Sequence, residues 1–188
     1  MKKRWLAALL AVQTFAMPCF AGELPEGWFR AGSSPSSYKM ELVQNEGVPA
    51  PSVVIASKED LEIEGFGTVM QNFYPKSYLG KRVKLTAWVK AEDVADWAGV
   101  WMRVDGENRK VLAFDNMFGR HIKGTSDWTE YTIVLDVDKA ASNLAYGVLL
   151  SGEGTVYIDK FNFTLVDDSV PVTGKKRVLE DGPKNTSF

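Results

Sequence analysis

The sequence predicts an all-β fold, a sandwich or a barrel. Apolar and polar residues alternate with period two over many short runs, and Gly, Pro, Asn, Asp and Ser separate those runs at regular intervals. Neither the spacing nor the composition of residues 22–166 supports long helices. The texture is even across that range, so one domain is expected, and ~70% of the extended-chain surface could be buried.

The block from Lys81 to Met117 carries the clearest pattern and reads as three short strands. In residues 83–90, Val83, Leu85, Ala87 and Val89 share one face, and Lys84, Thr86, Trp88 and Lys90 share the other. In residues 100–105, Val100, Met102 and Val104 oppose Trp101, Arg103 and Asp105. Further strands are expected at Tyr38–Val43, Ser52–Ser57, 67–73, 129–137, 145–151 and 155–165. Asp105-Gly106, Gly124-Thr125-Ser126-Asp127 and Gly152-Glu153-Gly154 are read as turns, and residues 138–143 as a single helical turn.

Both ends of the chain change character. Lys2, Lys3 and Arg4 precede an apolar run, and Cys19-Phe20-Ala21 places small residues at −3 and −1 of a cleavage site before Gly22. This is the layout of a secretory signal peptide over residues 1–21, so an exported protein, periplasmic or secreted, is expected. The apolar run is too short for a comfortable membrane span, and Ala16-Met17-Pro18 before Cys19 does not match a lipobox. Residues 167–188 contain Pro171, Gly174, Gly182, Pro183 and the triplet Lys175-Lys176-Arg177, and read as a linker-like tail or a loosely docked extension.

Charge and cysteine usage narrow the function classes. Loss of the three N-terminal cations takes the formal net charge from −2 to −5. Such a chain is not built to hold nucleic acid by phosphate neutralisation, nor to cling to anionic lipid. The single cysteine lies in the leader, so the mature chain is expected to have neither a disulfide nor a thiol nucleophile.

Three motifs carry a family resemblance. Residues 78–90, YLGKRVKLTAWVK, resemble the "GK-x-Y/V-x-L-S-A-W-V-K" strand of galactose-binding-like jelly-roll modules. Ser126-Asp127-Trp128-Thr129-Glu130-Tyr131 resembles their "W-x-x-Y" strand start, and Thr155 to Phe163 their closing "V-x-I-D-x-V-x-L". The run from Trp97 to Met117 is similar to a group of bacterial jelly-roll domains of undetermined role, some fused to arabinose-type helix-turn-helix regulators. The resemblance implies a jelly-roll β-sandwich of the kind found in carbohydrate-binding modules. No helix-turn-helix segment occurs in these 188 residues, so the regulatory association is not expected to carry over. In the modules it resembles, the position matching Asp159 often supports a structural calcium ion with loop oxygens; no other cofactor is expected.

Trp88, Trp101 and Arg103 are the first candidates for ligand contact. A sugar packs its C–H face on indole, and its hydroxyls need fixed polar partners. Asp115, Asn116 and Gln71 are the candidate polar rim, with Asp115 able either to bond a ligand or to pair with Arg103. The alternative is that loops cover Trp88 and Trp101, leaving them as plugs of the sandwich edge, and residues 91–99 are a candidate cap. Lys84 and Lys90 are read as solvated. Trp128 and Tyr131 are read as core, and His121, the lone histidine, as structural or exposed. No G-x-S-x-G, H-E-x-x-H or phosphate loop is present. The expectation is therefore a non-catalytic binding module for a glycan or a glycan-bearing envelope component. A structural or protein-interaction domain with an envelope protein partner is the alternative, and a weak hydrolase using Asp105, Glu107 or Asp115 is the third reading.

Overall fold

The computed structural model describes residues 22–44, 51–59 and 61–174; the leader and the Lys175-Lys176-Arg177 triplet lie outside the described residues. Among the described residues there are nine strands: β1 (Phe29–Gly32), β2 (Tyr38–Val43), β3 (Ser52–Ser57), β4 (Phe66–Phe73), β5 (Lys81–Asp105), β6 (Val111–Asp115), β7 (Ile122–Val137), β8 (Asn143–Ser151) and β9 (Thr155–Val166). β2 and β3 coincide with the expected runs, and β4, β7, β8 and β9 extend theirs. Strand β1 was not foreseen, because Phe-Arg-Ala-Gly offers no alternation to read.

The two expected strands at 83–90 and 100–105 are one strand of 25 residues. Its first part pairs with β7 on one side and β9 on the other; its last part pairs with β8 and β6. One layer is therefore β7-β5-β9-β3-β2 and the other β6-β5-β8-β4-β1, a jelly-roll β-sandwich in which β5 belongs to both layers. Residues 91–99 do not cap a face: they are the part of β5 that crosses between layers. Register shifts between Val89 and Ala98 mark that passage, and Asp93 takes a left-handed φ of 51° there.

The shifts change which residues face inward. Val83, Leu85, Ala87, Val89 and Ala91 are buried in the first part; Val94, Ala98, Val100, Met102 and Val104 are buried in the second. The parity flips from odd to even across the bend. Both sets join one core with Ile55, Val69, Ile133, Leu144, Val148 and Ile158. One side of that core is aromatic, with Trp28, Phe73, Tyr78, Tyr146, Phe161 and Phe163 in edge or tilted ring contacts at 4.8–6.2 Å.

Two expected loops differ. Residues 124–127 lie inside β7, where Gly124 at φ 66° absorbs a bulge opposite the β5 bend. Residues 138–143 form no helix. The Asp138 carboxylate accepts the Ala140 N–H and its carbonyl accepts the Ala141 N–H, a side-chain-stabilised turn that releases the chain into β8. Residues 167–174 dock rather than dangle: the Thr173 N–H donates to the Val134 carbonyl at 2.9 Å, and Arg82 donates to the carbonyls of Asp168 and Val170.

Inward parity on both halves of β5 has a measurable consequence. Leu85→Ala and Met102→Ala should each lower the unfolding free energy by about 2–5 kcal/mol in urea titrations. Lys84→Ala, adjacent but outward, should stay within about 0.5 kcal/mol of the parent.

Candidate ligand-binding face

The outward residues of β5 point to opposite sides of the molecule. Trp88 faces out from the β7-β5-β9 layer, whereas Trp101 and Arg103 face out from the β6-β5-β8 layer. The expected three-residue platform is therefore split, because the strand changes layer between them. Trp88 is 37% exposed and has Lys160 Nζ at 6.0 Å from its ring centre. Nearby, Lys90 pairs with Glu92 at 2.7 Å and sits over the Tyr157 ring. The Tyr157 phenol is pushed up by burial and by the Glu92 charge, and Lys90 is held up by its bond to Glu92. That surface is an ion-pair-laced outer face.

The other face has a different construction. Trp101 is only 7% exposed. It stands opposite Gly147 of β8, and its Nε1–H donates to Thr68 Oγ1 on β4 at 2.9 Å. Thr68 in turn donates to the Val148 carbonyl. The indole thus crosses β8 where that strand has no side chain, and it forms a floor rather than an exposed platform. Ala145 and Leu149 complete the floor, with Phe66, Met70 and Trp97 packed around it.

At one end of this floor stands an aromatic group in which Phe118 and His121 are exposed and Trp97 is half-buried. Trp97 and His121 lie 4.9 Å apart with planes tilted by 32°, and Phe118 meets both edge-on at 6.0 and 5.1 Å. Phe118 is 67% exposed, which for a large apolar ring on a turn is a surface feature with a consequence. Asn116 helps to set this turn: its Oδ1 accepts the Phe118 N–H, and its backbone carbonyl lies over Gly99, where a Cβ would come within 2.8 Å. Asn116 therefore shapes the turn through its Oδ1 and backbone carbonyl.

The opposite end is polar. Arg103 pairs with Asp105, two residues on and on the same face, at 2.9 Å. Asp105 is 4% exposed; its Oδ2 accepts from Arg103 and from Asn143 Nδ2, and Asn72 Nδ2 donates to Asn143 Oδ1. Asp105 Oδ1 has no hydrogen bond of good geometry despite the nearby guanidinium. These residues, with Phe29, Met70 and Arg109, line a depression of about 480 Å³. The turn above it holds Asn108 and Arg109 at φ 53° and 58°. Two successive non-glycine residues in the left-handed region cost about 1–2 kcal/mol each, and such strain gathers at ligand clamps.

Two expected rim residues, Gln71 and Asp115, are placed elsewhere. Gln71 faces the interior and accepts a 2.5 Å bond from the Tyr146 hydroxyl, because odd residues of β4 point inward; burial pushes the Tyr146 phenol up. Asp115 pairs with Arg120 at 2.6 Å, not with Arg103, and its other oxygen accepts the Met117 N–H. It stands opposite inward-facing Met102, so Asp105 and Asp115 lie on opposite faces of the layer and cannot straddle a glycosidic bond. Asp159 Oδ1 accepts the Lys160 N–H, and among the described residues no three His, Cys, Asp or Glu side chains form a metal-binding group. Tyr131 packs against the core as expected; Trp128 is half-buried, with its indole nitrogen unpartnered among the described residues.

Sequence reasoning missed Trp97, Phe118, Asn72, Asn143 and Arg109. Trp97 was within reach: it is four residues before Trp101 and shares its face by simple alternation.

Comparison with known proteins matches this architecture. No family model matches the chain. The uncharacterized HTH-type transcriptional regulator YbfP of Bacillus subtilis (strain 168) is 40% identical over 166 residues, which is 87% of this chain and 56% of that protein. The enzymatically active domain of tailspike protein 4 from bacteriophage CBA120 superposes with a TM-score of 0.55 at 14% identity, over 75% of this chain and 20% of that one. The CBM22-1 xylan-binding domain of Paenibacillus barcinonensis Xyn10C superposes with a TM-score of 0.52 at 13% identity, over 76% of this chain and 87% of the module.

If Trp101 is floor, truncation should be felt in stability. Trp101→Ala is expected to cost about 3–5 kcal/mol. Trp101→Phe, which mainly removes the bond to Thr68, should cost about 1 kcal/mol; both are read from urea unfolding. The chain has the jelly-roll β-sandwich fold that carbohydrate-binding modules use.

Proposed function

We propose that this chain is a non-catalytic module that binds a glycan on the outer face of the β6-β5-β8-β4-β1 layer. One observation carries the reading: exposed Phe118 and His121, stacked with half-buried Trp97, stand on the same outer face as fixed polar groups at Arg103, Asn143 and Asn72. Aromatic faces take the C–H surface of a pyranose, and pre-bonded amides and guanidinium take its hydroxyls. The xylan-binding role of the CBM22-1 neighbour supports the ligand class. Export is part of the proposal and rests on the residue pattern of 1–21, so the mature N-terminus should be Gly22 by N-terminal sequencing of the protein recovered outside the cytoplasm.

A second reading follows from the Bacillus relative. There the shared region belongs to a protein named as a helix-turn-helix regulator, and the same face would serve as the ligand sensor of a regulator rather than as an adhesive module. Both readings place the sugar on the same residues.

The test is a glycan-array screen of the purified chain and three variants. Trp97→Ala and Phe118→Ala should each reduce binding of the retained glycan about tenfold or more while the fold survives. Trp88→Ala, on the other layer, should leave it unchanged. Retention lost only in the Trp88 variant would move the site to the opposite face. No retained glycan from folded protein would favour a protein partner, to be sought by pull-down.

A further inference from the structure

This face changes chemistry along β5, from the aromatic group at Trp97 to the depression at Arg103. Its Trp97 end is aromatic and its far end is rich in hydrogen-bond donors. At that far end Asp105 is buried, and its charge is met by Arg103 and Asn143. Arg103 uses Nε and Nη2 on Asp105, so Nη1 is left without a hydrogen bond among the described residues. Arg109 lines the same depression and has no ion-pair partner among the described residues. Glu107 belongs to the same turn but does not line the depression.

A neutral sugar rim needs acceptors as well as donors, because each hydroxyl does both. This end has neutral acceptors at Asn72, Asn108 and Ser142, but its charge is two guanidiniums against one carboxylate that is 4% exposed and already engaged, so the lining is net positive. The matching ligand group accepts only, is planar and carries negative charge. A guanidinium fork fits a carboxylate through two parallel N–H···O bonds. Resting on the glycan-binding reading above, we propose that the Arg103–Arg109 end receives a sugar carboxylate. The ligand of this face is then an acidic oligosaccharide that contains uronate residues.

Affinity electrophoresis of the full chain decides the matter, using polygalacturonate, alginate and glucuronoxylan beside the carboxyl-reduced form of each. At least one acidic polymer should bind about tenfold or more tightly than its reduced counterpart, the ratio expected of a charge-assisted pair. Arg109→Gln should remove most of that ratio, lowering affinity for the acidic polymer far more than for the reduced one. Lys84→Gln, which deletes the same charge on the other layer, should preserve the ratio. Arg103 is left intact because its loss would strand buried Asp105. Equal affinity for acidic and reduced forms, or a ratio eroded as much by Lys84→Gln as by Arg109→Gln, overturns the carboxylate proposal. Retention of reduced forms alone overturns it while the glycan-binding reading stands. Retention of none of the six polymers overturns both.

Discussion

The structure depends on one strand serving two layers. β5 can do so only if its inward face is remade halfway along, since the two layers present their cores in opposite directions. The register shifts between Val89 and Ala98 perform that exchange, and Gly124 in β7 lets the neighbouring strand follow. Contacts across the bend hold it: the Thr125 hydroxyl donates to the Asp93 carboxylate and accepts the Asp93 N–H, and the Ala95 N–H donates to the Glu153 carbonyl. Because each part of β5 is paired on both of its edges, the layers cannot slide independently.

The same exchange explains what the sequence revealed and what it concealed. Alternation identifies the buried face of a strand with respect to its own sheet, and every inward residue assigned to 83–90 and 100–105 is buried. Alternation does not say which sheet. Trp88 and Trp101 are both outward in that local sense, yet the flip of parity sends them to opposite sides of the molecule. Gly124 was legible as a special backbone position; the choice between turn and bulge was not, because it depends on what lies across from it.

The candidate site was legible in part. Of the three residues expected on one platform, Trp101 and Arg103 share an outer face and Trp88 does not, and burial sets Trp101 and Arg103 apart in turn. An indole opposite a glycine can lie flat across the partner strand, and no one-dimensional pattern places Gly147 beside Trp101. Asn72 and Asn143 come from β4 and β8 and meet only through pairing between strands 71 residues apart in sequence. Arg109 belongs to a turn whose left-handed backbone has no sequence signature beyond the Asn before it.

A single strand also gives the candidate face a direction. Trp97, Trp101, Arg103 and Asp105 are successive outward positions of β5, broken only by Gly99, where the turn carrying Asn116 and Phe118 crosses. At about 3.3 Å per residue, Trp97 and Arg103 lie about 20 Å apart along the strand. That length exceeds a single pyranose, so the glycan proposed above would need several residues to reach both ends. The ends of that path differ in kind, aromatic at one and donor-rich at the other, so a linear ligand reversed end for end would meet unlike groups. Orientation is thereby built into β5 itself, while Gly147 and Ala145 of β8 stand opposite Trp101 and Arg103 and add little bulk there.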